Sequence, residues 1–194
     1  MSALDIEAAA RVLRDGGLVA FPTETFYGLA ALASDTRALA RLAALKGRDA
    51  QKPIALIAAD AEQAESLWRL PVPSQAGSLI ARYWPGALTI VCASADHVDA
   101  LLTGALSEVG VRVPAHPMAR KLARLAGGPI TATSANFAGE PPVTRVVDLP
   151  AALVAQIDLV LDGGETPGGA PSTLVAVRGD QLIVLRAGAV NVRG

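Results

Sequence analysis

Thiols are almost absent from this sequence: Cys92 is the single cysteine among 194 residues. It has no partner for an internal disulfide, so a disulfide-stapled scaffold is excluded. Histidine is nearly as scarce. His97 and His116 are too few to build a zinc site without thiols. Aromatic residues make up 4% of the chain, which leaves little for interleaved stacking on nucleic-acid bases. Neither sign of charge dominates, since 17 Lys+Arg stand against 18 Asp+Glu for a net charge of −1. Affinity from a broad basic surface is therefore not expected, although a local basic patch is compatible with that balance. No run of about 18 apolar residues occurs, so no membrane span is expected. The segment Met1–Glu7 is acidic and lacks the basic-then-apolar pattern of a secretory signal. The cytoplasm is the expected compartment.

Several catalytic devices are missing as well. There is no G-x-x-x-x-G-K-[ST] loop, no G-x-G-x-x-G after a strand and no G-x-S-x-G elbow. A Ser-His-Asp triad would have to use His97 or His116, and neither has a serine placed to suggest it.

What is present is a chain that is 52% hydrophobic, much of it alanine. That is far from the composition of disorder. The length suits one domain with a genuine core, or at most two small ones. Strand-like and helix-like runs alternate from end to end, which reads as α/β with a largely mixed sheet. Ser2 can cap a helix over about 3–15, with Gly16-Gly17 as its stop. Residues 18–21 form a short buried strand ended by Pro22. Ser34 or Asp35 caps a helix with Ala38, Leu39, Leu42 and Leu45 at helical spacing, closed by Gly47. Strands are predicted at 54–58, 88–93, 109–113, 130–133 and 157–161. Helices are predicted from Asp60 to about Leu70, over 74–83, and from Pro117 to Gly127-Gly128. A weak helix falls at 145–156, and a final hairpin at 174–177 and 182–185 turns at Arg178-Gly179-Asp180.

Four polar segments sit at the ends of these apolar runs. Pro22–Leu29 carries two threonines and a carboxylate at a strand exit. They suit a small polar ligand or, equally simply, a turn whose hydroxyls satisfy its own backbone. Lys46-Gly47-Arg48, with Lys52 close behind, complements a helix C-terminus. Yet the chain has only three lysines, and two of them fall here beside an arginine. Such a cluster also suits a polyphosphate. Thr131–Asn136 offers four small polar side chains that could hold phosphate or ribose, or simply cap a turn. The Gly-rich stretch 163–171, followed by Ser172-Thr173 and by Arg186 after the last strand, could admit an anion or be a surface loop. Arg112 in an apolar strand faces either a cleft or solvent, and Asp162 has the same ambiguity. Taken together, the segments suggest an open sheet whose strand ends converge on an anion-binding cleft.

The ordered motifs Pro-Thr-Glu-Thr-Phe-Tyr-Gly-Leu (22–29), Lys-Gly-Arg (46–48), Tyr-Trp-Pro-Gly-Ala-Leu-Thr (83–89), Val-Arg-Val-Pro (111–114), Thr-Ser-Ala-Asn (133–136) and Pro-Ser-Thr-Leu-Val (171–175) together resemble the YrdC-like threonylcarbamoyl-AMP synthases. The chain resembles their short, single-domain form, residues 1–194. The resemblance implies a twisted open mixed α/β sheet with flanking helices and a large concave basic cavity. It implies that L-threonine, bicarbonate and ATP give threonylcarbamoyl-AMP and pyrophosphate, with Mg²⁺ carried on the ATP phosphates. The product serves threonylcarbamoyladenosine modification of tRNA, so tRNA or a tRNA-modification protein is an implied partner. Carried over to this sequence, Lys46 and Arg48 would be catalytic. Arg48, Lys52, Thr89, Ser134, Asn136 and Arg186 would bind ATP, and Thr25, Arg112 and Ser172 would bind threonine. No protein-held metal is implied. Two positions depart from the pattern. Ala55-Leu56-Ile57 lacks a histidine that some relatives place in that strand, and Lys52 stands where others carry asparagine. A non-enzymatic RNA-binding or ribosome-maturation factor, and a paralogue using another carbamoyl substrate, are the competing readings.

Overall fold

A computed structural model describes residues 3–47 and 52–192. The expected cap at Ser2 and the expected site residue Arg48 lie outside the described residues. The elements run α1 (Ala3–Arg14), β1 (Val19–Pro22), β2 (Tyr27–Ala30), α2 (Thr36–Leu45), β3 (Leu56–Ile57), α3 (Ala61–Glu65), α4 (Ser74–Tyr83), β4 (Leu88–Ala93), α5 (Ala100–Thr103), β5 (Glu108–Arg112), α6 (Pro117–Ala126), β6 (Ile130–Thr131), β7 (Thr133–Ser134), α7 (Ala151–Val154), β8 (Leu159–Val160), β9 (Thr173–Arg178) and β10 (Gln181–Arg186). The α/β class with an open mixed sheet and flanking helices is as expected, but the strands divide between two sheets. One has the order β7-β2-β1-β8 and the other β10-β9-β4-β5-β3-β6. Both mix parallel and antiparallel pairs.

The division explains the main departures from the sequence reading. The single strand expected over 130–133 is two short strands, β6 pairing with β3 in the larger sheet and β7 pairing with β2 in the smaller. An isolated bridge between Leu32 and Ile130 ties the sheets at this corner. Strand β2 was not expected at all. Its residues read as part of a polar turn, yet Tyr27, Leu29 and Ala30 are fully buried, and Gly28 lets β2 lie against the Phe21 ring, 3.2 Å from where a Cβ would sit. The helix after Asp60 ends at Glu65, five residues short of expectation. The weak helix at 145–156 reduces to a 3₁₀ turn at 146–148 followed by α7.

Two hydrophobic clusters fill the space on either side of β1. Val19 and Phe21 point into one, with Leu13 of α1 and Leu122 of α6. Leu18 and Ala20 point into the other, with Leu39 and Leu42 of α2 and with Leu88, Ile90 and Val111 of the larger sheet. A strand buried on both faces reads as a continuous apolar run, as residues 18–21 do. Helix α2 begins where Asp35 Oδ1 accepts from the N–H groups of Arg37 (2.9 Å) and Ala38 (3.0 Å). Among the described residues no helix is long and apolar enough to cross a membrane.

Truncation should separate core from surface. Leu29→Ala removes a fully buried side chain and is expected to cost about 2–5 kcal/mol in urea unfolding, while Leu106→Ala, 59% exposed, should stay within about 0.5 kcal/mol.

Candidate functional site

The turn between β1 and β2 is built by its own threonines. Thr23 Oγ1 donates to the Phe26 carbonyl (2.8 Å) and accepts from the N–H groups of Thr25 (3.2 Å) and Phe26 (3.3 Å). The hydroxyls of Thr23 and Thr25 lie 3.1 Å apart. This self-satisfied turn holds Glu24 between them, and Glu24 Oε1 accepts from Arg112 Nη1 at 2.8 Å. Both side chains are largely buried. Arg112 therefore faces inward, resolving the choice that the sequence left open. Burial, offset in part by Glu24 and reinforced by Arg186, holds the Arg112 guanidinium below its ordinary value.

The larger sheet delivers a second group of polar side chains. Ile90 pairs with Val111, so the antiparallel register sets Thr89 beside Arg112, and residues so opposed share a face. That face is the reverse of the one on which Leu88, Ile90 and Val111 meet the core. Thr89 Oγ1 lies 3.0 Å from Ser172 Oγ. Arg186 reaches back from the end of β10 to donate to the Ser172 carbonyl (Nε 3.2 Å, Nη2 2.8 Å) and to Ser172 Oγ (3.2 Å). Thr89 and Arg186, expected on the nucleotide, and Ser172, expected on threonine, thus form one hydrogen-bonded chain whose arginine acts electrostatically on Arg112.

The third group lies around Lys46 at the end of α2. Its ammonium donates to the carbonyls of Ser134 (2.9 Å) and Asn136 and to Asn136 Oδ1 (3.2 Å). Ser134 Oγ donates to Asn136 Oδ1 at 2.5 Å. These residues, with Lys52, Thr133 and Phe137, line a cleft of about 280 Å³. Gly28 pairs with Ser134, and the Ala135 N–H donates to the Tyr27 carbonyl, so the segment runs alongside the exit of the threonine turn.

Sequence reasoning passed over the residues that tie these groups together. Tyr27 Oη donates to the Gly164 carbonyl (2.7 Å), lies 3.3 Å from Asp162 Oδ1 and accepts from the Gly163 N–H (3.0 Å). Burial above all raises this phenol above its ordinary value. The Gly168 N–H donates to the Thr25 carbonyl at 2.7 Å, so the Gly-rich loop leading to Ser172 is docked on the threonine turn. In the sequence Glu24 reads as one carboxylate of a strand exit, and its place between two threonines is the available signal. Cys92 is buried, and its thiol is pushed up to about 12 by burial and then by Glu108, so it is no nucleophile. Among the described residues no group of three or more His, Cys, Asp or Glu is placed to hold a metal ion.

The fold is a mixed α/β one that gathers hydroxyls, amides and cations at strand ends and at the end of α2. A family model described as telomere recombination, the Sua5/YciO/YrdC domain, matches residues 11–188. The chain is 42% identical over 183 residues to the threonylcarbamoyl-AMP synthase of Pyrococcus abyssi, covering 94% of this chain and 54% of the relative. It is 38% identical over 174 residues to the threonylcarbamoyl-AMP synthase of Stenotrophomonas maltophilia, covering 89% of this chain and 93% of the relative. The crystal structure of P. abyssi Sua5 complexed with L-threonine superposes with a TM-score of 0.89 at 42% identity, over 94% of this chain and 54% of that one. The chain belongs to the Sua5/YciO/YrdC family. It spans about half the length of the P. abyssi and Bacillus subtilis relatives.

His116 supplies a stability prediction. Burial lowers its pKa, Glu24 opposes that shift and Arg120 adds to it. A depressed histidine pKa means the unfolded chain takes up the proton first as pH falls, near its ordinary value of about 6.5. Stability from this residue is thus present above that pH and lost as pH drops through it toward the folded value. Urea unfolding between pH 7.5 and 5.5 should show a larger loss for the wild type than for His116→Gln.

Proposed function

We propose that this chain is a threonylcarbamoyl-AMP synthase. In this reading residues 1–194 act as one catalytic domain in the cytoplasm. What supports the proposal is a family whose named relatives are threonylcarbamoyl-AMP synthases, together with Lys46, Lys52, Ser134 and Asn136 lining one cleft. The amine of L-threonine adds to bicarbonate with loss of water to give a carbamate. A carbamate oxygen attacks the α-phosphorus of ATP, forming the P–O bond of threonylcarbamoyl-AMP as pyrophosphate leaves. No protein nucleophile is required, so catalysis comes from positioning and charge stabilisation.

Each side chain has a task in that scheme. Thr25, Arg112 and Ser172 hold threonine, with Arg112 on its carboxylate. Ser134 and Asn136 fix the nucleotide, and Thr89 and Arg186 close on it from the larger sheet. Arg48 and Lys52 take the phosphates, as a fork and a point charge respectively. Lys46 adds its charge to the departing pyrophosphate, and through its bonds to the carbonyls of Ser134 and Asn136 it also sets the shape of that segment. Mg²⁺ enters with ATP, held on its phosphates and retaining several waters. In this reading phosphates gather at the cleft lined by Lys46 and Lys52, and the adenylate passes onward to tRNA or to a protein that modifies it.

The test is pyrophosphate release in the presence of ATP, L-threonine and bicarbonate. Arg48→Ala and Lys46→Ala should each lower turnover by about 100-fold or more while circular dichroism stays native. Wild-type turnover in both variants would remove the cations from the mechanism. Adenylate formed without threonine would indicate another acyl donor. Tight, steeply salt-dependent RNA binding without ATP would favour the non-enzymatic reading.

A further inference from the structure

Three buried side-chain polar atoms among the described residues have no hydrogen-bond partner: Glu24 Oε2, Gln75 Oε1 and His116 Nδ1. Two of the three belong to groups that act on each other, since the Glu24 carboxylate lies within electrostatic reach of the His116 ring. Burying a carboxylate oxygen without a donor is costly, and proteins keep such atoms where a ligand supplies the missing partner. Glu24 spends only one oxygen on Arg112, leaving the second buried without a donor. His116 stands just ahead of α6, four residues beyond Arg112. The charged groups acting on its ring are Glu24 from the turn and Arg120 from its own helix. Arg120 is itself occupied with the carbonyls of Pro114 (2.6 Å) and Ala115 (2.9 Å).

A zwitterionic amino acid is matched by an anion and a cation held side by side, and the Glu24–Arg112 pair is such a frame. We propose that Glu24 and His116 form the amine-handling half of the amino-acid site, Glu24 Oε2 receiving the ammonium and His116 Nδ1 taking the proton that this ammonium gives up. The inference rests on the synthase reading above. The step balances as R–NH₃⁺ plus HCO₃⁻ plus neutral imidazole giving R–NH–CO₂⁻, water and imidazolium. The N–C bond forms as one C–O bond of bicarbonate breaks, and no oxidant or reductant takes part. The roles divide by chemistry. A carboxylate paired with a guanidinium is a natural seat for a second cation. An imidazole kept neutral by burial is a proton acceptor suited to near-neutral pH.

The experiment compares binding of L-threonine and of 3-hydroxybutyrate, which lacks the amine, to the whole protein by calorimetry. The wild type should prefer threonine. Glu24→Gln should weaken threonine by about ten- to a hundredfold relative to 3-hydroxybutyrate, and so erase the preference, while ATP binding is retained. Glu24→Asp, which keeps the charge, should retain a preference and serves if the glutamine variant fails to fold. His116→Gln should bind threonine normally, turn over at least tenfold more slowly and lose the one-proton acidic limb of the wild-type pH–rate profile. A wild-type protein that binds threonine and ATP while Glu24→Gln keeps full discrimination overturns the assignment of Glu24. An acidic limb that survives in His116→Gln overturns that of His116. A wild type that binds neither threonine nor ATP overturns the synthase reading itself.

Discussion

A guanidinium at the end of a buried strand has to be neutralised, and in this fold Glu24 does it. Arg112 closes β5 in the middle of the larger sheet, while Glu24 belongs to the turn leaving β1 in the smaller one. Their ion pair therefore joins the two sheets as well as two parts of the site. Desolvation makes each charge depend on the other, and removing either partner alone would strand a buried charge at a cost of about 3–5 kcal/mol. That dependence fixes the turn, and the turn fixes Thr25.

From this pair outward the site is layered by ever more local interactions. The hydroxyl of Thr23 satisfies the Phe26 carbonyl and the N–H groups of Thr25 and Phe26 within the turn. Tyr27 then pins the start of the Gly-rich loop, and the Gly168 N–H pins a later point of the same loop to Thr25. By the time the chain reaches Ser172, its path has been set at two points by the segment 23–27. The reaction proposed above relies on positioning, for which a path fixed at two points matters because small displacements of reacting groups are costly.

Much of the fold was legible because its signals are local. Helix α2 announces itself through Asp35 and four apolar positions at helical spacing, and the β9–β10 hairpin through its Arg178-Gly179-Asp180 turn. What was illegible depends on contacts distant in sequence. Strand β2 looks like a turn until β1 and β7 flank it. Residues 130–133 look like one strand because nothing local says that Ile130 pairs in one sheet and Thr133 in the other. The site shows the same contrast. Motif order brought Thr25, Lys46, Ser134 and Asn136 to notice, but the inward turn of Arg112 is set by Glu24, 88 residues away. Tyr27 escaped because a tyrosine beside a glycine carries no mark of the loop it will anchor more than a hundred residues later.

The geometry around Lys46 also bears on which substitutions the chain can absorb. Three oxygens from Ser134 and Asn136 converge on one small, tetrahedral ammonium. A guanidinium distributes its donors over a flat fork and cannot bring them all to one point. Exchanging this lysine for arginine would preserve the charge but misplace it, forcing the adjoining strand end outward. The position is selective for shape as much as for sign.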